Sequence, residues 1–421
     1  MFGMKSKFSR NVMVLTTGTA LSQLIPFIVL PILQKYFYGP ADFALLASFV
    51  YFSEMIGVVS TLKLEYAIVA QRTPQDAREV AVTGYRVVSI STLFSIVLAV
   101  ICFQWDVIHG LHKLGTSIFL LPLVVLAMGS MQITSYWFNA RQEYPKIAQG
   151  KLVQTATSEG VKLASGFAGL NFTGLIIGRV LGYVSVAVLQ WRRFAANAAG
   201  IERRHFSKWD TIKRHKSYVL FTTPSVFVGA LINFLYIEMF LEHFGSESAG
   251  MVSVAMTYVG AGLGMVAGSI SQVFFGTISN IHKRKELESL YVRFLGRLVL
   301  MSGVMTAMVW VFPASWIVGV LGPEWNDLIV YCRVISVWLG VWFISSSLSF
   351  IYLRLQRQHL MLFMDVLHVV MIYVGFHLGR ISTGTALGAL WGFTWAQVAF
   401  YVMAILLAIY FIRTSKLLHD E

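Results

Sequence analysis

Apolar residues run through this chain in twelve stretches of roughly 20 residues or more, separated by short polar links. A helix needs about that length to cross about 30 Å of hydrocarbon. The pattern predicts helices over about 11–34, 40–62, 80–103, 115–137, 148–167, 170–190, 218–241, 247–275, 293–313, 326–353, 358–378 and 383–412. The stretches do not alternate apolar and polar residues as a membrane β-barrel would, so the expected fold class is all-α integral membrane, with about 12 transmembrane helices. The fifth stretch departs from the rest. Gln154, Thr155, Thr157, Ser158, Glu159 and Lys162 make it too polar to lie wholly against lipid, and it is expected to face protein or water.

Composition fits this reading: 57% of the 421 residues are hydrophobic and 13% charged, more apolar than a soluble core requires. Cys102 and Cys332 lie far apart within apolar stretches and offer neither a disulfide framework nor metal-ligand spacing, so no metal and no cofactor is implied. The basic start, Lys5, Lys7 and Arg10, leads into apolar sequence to about Leu33. That is too long for a signal h-region, and the segment is expected to be a retained first span.

Charge differs sharply between alternate links. One set holds the start, Lys63/Arg72/Arg78, Arg141/Lys146, the run from Arg192 to Lys216, Lys283/Arg284/Lys285, Arg354/Arg357 and Arg413/Lys416. The other holds only Lys35, Lys113 and Arg380, with Glu242, Glu247 and Glu324. The positive-inside rule therefore predicts both termini in the cytoplasm. The net charge of +13 consists largely of these juxtamembrane cations, which account for orientation and contact with anionic lipid without invoking nucleic acid.

The longest link, Trp191 to Lys216, carries eight Lys/Arg and is expected to be a cytoplasmic linker (191–217) between an N-terminal lobe (1–190) and a C-terminal lobe (218–421), six helices each. An offset of 207 residues pairs Thr16 with Thr223, Phe37 with Phe244 and Tyr51 with Tyr258. Each half also opens on a small polar cluster, Thr16-Thr17-Gly18-Thr19 and Thr222-Thr223-Pro224-Ser225. Corresponding interrupted helices point to a transporter cavity between repeats.

The first two spans, from Gly18-Thr-Ala-Leu-Ser-Gln23 through Tyr38-Gly-Pro-Ala-Asp-Phe43 to Leu64-Glu-Tyr-Ala-Ile-Val69, resemble the bacterial polysaccharide flippases that export lipid-linked O-antigen units. The similarity continues in Gly268-Ser-Ile-Ser-Gln-Val-Phe-Phe275 and Phe343-Ile-Ser-Ser-Ser-Leu-Ser349. This resemblance implies the multidrug/oligosaccharidyl-lipid/polysaccharide flippase superfamily, with two six-helix lobes around a central cavity and alternating access. It implies an undecaprenyl-diphosphate oligosaccharide as substrate, the bacterial inner membrane as location, and membrane lipids, a polysaccharide polymerase and chain-length machinery as partners.

Such a head group cannot cross hydrocarbon unaided, because burying ionised and hydroxylated groups costs from several to tens of kcal/mol. It requires a wet cavity with cations for the diphosphate. With the cytoplasm negative, moving two negative charges outward gains about 2.3 kcal/mol per charge per 100 mV.

Arg179 is the leading candidate for substrate binding: it lies near the middle of the sixth stretch with no acid three or four positions away, and either binds an anion or pairs with a carboxylate or carbonyl of another helix. Gly174, Gly178 and Gly182 beside it predict close helix packing. Arg333 lies roughly 10 Å from the outer end of its span and either binds substrate or snorkels. Lys162 follows Glu159 by three residues and is expected to pair with it, with a cavity-lining role still open. Arg86 and Arg297, a turn or two inside the cytoplasmic ends of their spans, either line the inner mouth or snorkel. Asp365 with His368, Glu54 and Glu159 are the candidates for proton coupling, against a structural hydrogen-bonding role.

Trp105, Trp137, Trp191, Trp316 and Trp325 fall near span ends, as interfacial anchors do; Trp338, Trp342, Trp391 and Trp395 lie deeper. An enzyme of the same pathway would need a substantial outer loop or a catalytic constellation, and the outer links are short. The closer alternative is a multidrug or small-solute transporter of the same two-lobe plan, whose expected cavity is more acidic and apolar.

Overall fold

The computed structural model describes residues 21–202, 208–278, 281, 283–355, 357 and 359–415. The cluster at Thr16–Thr19, the basic start and Lys416 lie outside the described residues. Among those described, the chain is helical and contains no extended strand. Among the described residues, nine helical stretches are long and apolar enough to cross a membrane. One of them, Tyr218–Ile278, is two helices that meet at Gly245, whose left-handed φ of 81° breaks the ladder where a Cβ would be strained. The apolar helix Leu21–Tyr36 and the polar fifth helix complete the expected twelve.

In order they are α1 (Leu21–Tyr36), α2 (Pro40–Val59), α3 (Pro74–Gln104), α4 (Leu121–Ala140), α5 (Tyr144–Phe167), α6 (Phe172–Ala199), α7 (223–244), α8 (246–278), α9 (Arg284–Val311), α10 (Leu328–Leu348), α11 (His359–Thr383) and α12 (Ala386–Thr414). Local chemistry sets their ends. Thr73 caps α3 through the Asp76 amide at 3.2 Å, with Pro74 next in the chain, where its missing N–H costs nothing. Asn171 caps α6 in the same way, accepting from the Thr173 amide at 3.2 Å. α6 extends to Ala199, nine residues past the expected end at 190, because Phe194 and Ala198 are apolar and buried.

The chain forms two compact units, Met1–Ser246 and Glu247–Glu421. The first holds α1–α7. The seventh helix joins it because Phe234 packs on Phe52 at 5.3 Å between ring centroids, and the buried Glu238 carboxylate accepts from Ser48 Oγ of α2 and from the Gly110 amide at 3.0 Å. A core of Phe49, Phe52, Met128, Val180 and Phe234 interlocks α2, α4, α6 and α7. The second unit holds α8–α12, in which α11 and α12 approach backbone to backbone: a Cβ on Gly392 would fall almost on the Gly375 carbonyl oxygen. Trp137 and Trp325 are fully buried and so are core residues rather than interfacial anchors, whereas Trp105, Trp191 and Trp316 are exposed as expected.

Candidate functional site

The Tyr38-Gly-Pro-Ala-Asp-Phe43 segment positions the polar centre of the first unit. Asp42 Oδ2 accepts from the Gly39 amide at 3.1 Å, and its Oδ1 accepts from the Phe172 amide at 2.8 Å, which fastens the start of α2 to the start of α6. Tyr38 donates to the Lys162 carbonyl on α5 at 3.1 Å. The glycines of α6 then let α5 come close. A Cβ on Gly178 would lie 2.6 Å from Lys162 Cγ and 2.8 Å from the Ser158 carbonyl oxygen, and one on Gly182 would lie 2.8 Å from that of Gln154.

Within this frame four of the predicted site residues share one network. Arg179 Nη2 donates to Glu54 Oε1 of α2 at 2.7 Å and to the Tyr183 hydroxyl at 3.1 Å, with the guanidinium 4.9 Å from the Tyr183 ring centroid. Lys162 Nζ donates to Glu159 Oε1 at 2.6 Å, one turn apart on α5 as the spacing predicts. Glu159 and Tyr51 both lie within electrostatic reach of Arg179. The Arg179 and Glu54 side chains are 29% and 37% accessible, whereas those of Lys162 and Glu159 are 12% and 7% accessible. Arg179 is therefore paired with a carboxylate from another helix, one of the two outcomes open from the sequence. Two cations face two carboxylates, and the centre is close to neutral rather than a bare cationic pocket.

Arg179 nevertheless keeps binding capacity. Its hydrogen bonds among the described residues all run through Nη2, so Nη1 and Nε retain donors in a side chain nearly one-third accessible. An incoming oxyanion can use them directly, or displace Glu54 and take the fork of the guanidinium.

The remaining predicted residues lie elsewhere. Arg333 of α10 donates through Nη2 to the Phe312 carbonyl beyond the end of α9 at 3.2 Å, while its Nε is buried without a partner among the described residues. Arg86 of α3 and Arg297 of α9 are exposed. His368 of α11 is buried; its Nε2 meets Gln397 Oε1 of α12 at 2.5 Å, and its ring stacks on Phe400 at 3.8 Å. Asp365 is half-buried and lies within electrostatic reach of Tyr401, whose ring is 5.4 Å from that of His368. The shared-face spacing thus brings acid and histidine to one aromatic group, but the hydrogen bond of His368 goes to Gln397.

Three polar features escape the sequence reading. Tyr51 and Tyr183 join the Arg179 network, and Glu238 is a further buried carboxylate in the first unit, in addition to Glu65 and Glu159. Glu238 carried a signal, a lone acid within an apolar stretch; the tyrosines carried none. Outside the spans, burial and then the neighbouring Arg214 charge push the His215 imidazole below its ordinary value, beside Gln71 at 3.4 Å.

The polysaccharide biosynthesis protein family matches residues 37–330, more than half of the chain. Among solved structures, an inward-facing multidrug resistance MATE family transporter of the MOP superfamily is 12% identical, with 94% of this chain and 96% of that one covered and a TM-score of 0.73. The Lipid II flippase MurJ, in an inward closed conformation, is 12% identical over 94% of this chain and 87% of its own, with a TM-score of 0.68. A MOP superfamily transporter from Pyrococcus furiosus is 13% identical over 98% and 96%, with a TM-score of 0.60. At these identities the likeness is one of fold, the two-lobe plan of twelve helices. These neighbours are transporters and a flippase rather than enzymes. No curated protein sequence matches the chain.

Proposed function

The chain belongs to the polysaccharide biosynthesis protein family, and from that premise we propose that it flips an undecaprenyl-diphosphate oligosaccharide, an O-antigen or related repeat unit, from the cytoplasmic to the outer leaflet by alternating access. The observation that carries the reading is Arg179, a cation deep in a spanning helix with free donors and a carboxylate partner that a diphosphate can replace. In the resting state Glu54 occupies the guanidinium and spares the membrane interior an unpaired charge. An arriving diphosphate takes the guanidinium, and a proton taken up by Glu54 removes the like-charge repulsion between carboxylate and phosphate. Release in the outer leaflet reverses the exchange. Glu159 holds Lys162 beside Arg179 as a second cation for the head group.

Arg86 and Arg297 are assigned to the inner mouth, and Arg333 to the outer side, where an anionic head would leave. Asp365 and His368 are a second proton-coupling group. Location in a bacterial inner membrane, cytoplasmic termini, and cooperation with a polymerase and chain-length machinery complete the proposal.

Reconstitution in liposomes tests it, comparing transfer of a diphosphate-linked oligosaccharide between leaflets for the native chain and Arg179→Gln. Transfer that depends on Arg179 is expected. Transfer unchanged by the substitution makes Arg179 structural, and no transfer with gradients supplied, together with uptake of lipid-free solutes, turns the reading to a small-solute transporter.

A further inference from the structure

The Leu64-Glu-Tyr-Ala-Ile-Val69 segment lies where α2 turns towards α3, and its geometry is unusual. Leu62 and Lys63 both adopt left-handed φ, 51° and 56°, which costs roughly 1–3 kcal/mol for each non-glycine residue. Immediately after them, Lys63 and Glu65 form a buried ion pair at 3.3 Å, with side chains 6% and 1% accessible. Thr61 Oγ1 donates to the other Glu65 oxygen at 2.5 Å. A buried pair is a costly way to stabilise a turn, because desolvation offsets much of the attraction. Two strained residues and a buried pair over-determine one thing, the start and direction of the short helix Leu64–Val69, and that helix presents Tyr66.

Tyr66 is half-buried and meets two other half-buried tyrosines from distant parts of the sequence. The Tyr136 ring of α4 lies 5.1 Å away at 59°, and the Tyr218 ring, just ahead of α7, lies 6.0 Å away at 73°. Lys63 Nζ sits 5.5 Å from the Tyr66 ring centroid. Lys63 and Glu65 cancel one another, and the three tyrosines offer neutral aromatic rings and phenol hydroxyls, with the His215 ring 6.3 Å from that of Tyr218 and the exposed Arg214 and Lys216 close by in the chain. The tyrosine cluster itself carries no charge for a diphosphate. It suits a pyranose, whose C–H face packs on aromatic carbon while its hydroxyls exchange hydrogen bonds with phenols. The tilted rings leave no slot between them, so a sugar would lie against their outer faces.

We propose that Tyr66, Tyr136 and Tyr218 form a saccharide subsite at the end of the first unit where α2 passes into α3, with the Lys63–Glu65 pair as its positioning element. The inference rests on the flippase reading and on the orientation that places this end in the cytoplasm. The subsite then receives the glycan of a lipid-linked substrate as the head group enters, separately from the diphosphate at Arg179.

The test uses the full chain in nanodiscs and two probes, undecaprenyl diphosphate and the same lipid carrying an N-acetylhexosamine. The native chain is expected to bind the glycosylated lipid more tightly. Tyr66→Leu, Tyr136→Leu and Tyr218→Leu are each expected to weaken binding of the glycosylated lipid about five-fold and to leave the bare lipid unchanged. The corresponding Phe variants, which preserve the rings, are expected to lose less. Equal native affinity for the two lipids, or equal losses on both, would overturn the subsite. Failure of the native chain to bind either lipid would instead overturn the flippase reading beneath it.

Discussion

The exchange at Arg179 is testable through its partner, by Glu54→Gln. At 2.7 Å and an effective dielectric of about 20, the attraction between Arg179 and Glu54 is about 6 kcal/mol before any desolvation is counted. Both side chains are about one-third accessible, so water screens the pair, and desolvation of two ions offsets more of the gain. A net pairing of about 1–2 kcal/mol remains. An anionic ligand that takes the guanidinium must overcome that amount. Glu54→Gln keeps a hydrogen-bond acceptor but removes the competing charge, and should tighten undecaprenyl diphosphate binding about 5- to 30-fold at pH 8. Arg179→Gln should weaken binding, and the double variant should bind no better than Arg179→Gln alone. The assay is a binding titration of purified chain in nanodiscs at pH 8. Unchanged or weaker binding by Glu54→Gln would refute the exchange.

Gly178→Leu should destabilise the chain by about 1–3 kcal/mol or more, since even a Cβ meets the Ser158 carbonyl oxygen at 2.8 Å; thermal unfolding in detergent would show a lowered midpoint. Glu238→Ala leaves the Gly110 amide and Ser48 without their acceptor and should cost about 1–3 kcal/mol by the same measurement, whereas Glu238→Gln should cost less. His215 is held neutral by burial, so its folded pKa lies below the unfolded value of about 6.5. Stability should be level above about pH 6.5 and fall with acid below it, and His215→Gln should reduce that slope in a pH series of unfolding midpoints. Transfer of the lipid-linked head in vesicles should rise when the interior equivalent to the cytoplasm is made negative, by up to about 2.3 kcal/mol per charge per 100 mV; a rate indifferent to the imposed potential would exclude net charge movement.

Helix number and order were legible because each span is longer than the errors at its ends, and a bilayer admits few other structures. Ends were read less well where apolar and polar residues mix. The basic segment after Trp191 suggested a linker, yet Phe194 and Ala198 continue the buried face of α6 through the same residues that carry Arg192 and Arg193. The packing of α7 within the first unit was not legible for a related reason. Loop charge reports orientation, whereas membership of a unit depends on which side chains α7 buries, and the Glu238 contacts with Ser48 and Gly110 join residues 190 and 128 positions apart. Glycine spacing was informative where it was applied, at Gly174, Gly178 and Gly182. The same spacing at Gly375 and Gly379, and at Gly388 and Gly392, marks the backbone contact of α11 with α12.

The polar centre shows where local spacing stops being informative. Glu159 and Lys162 sit one turn apart, so their pairing follows from the helical repeat alone. Arg179 had no acid within a turn, and its partner came from 125 positions away. In a chain this apolar, an isolated intramembrane cation and an isolated intramembrane acid are each costly. The two costs cancel if the residues meet, so Arg179 and Glu54 together were better evidence for a pair than either was for a site. That pairing also reframes what the centre can do. A bare cation would hold a diphosphate tightly and release it slowly, whereas a cation already shared with a carboxylate exchanges one anion for another at a small net change in energy. Repeated loading and release across a membrane requires that property, and it makes the Glu54 partner as informative about transport as Arg179.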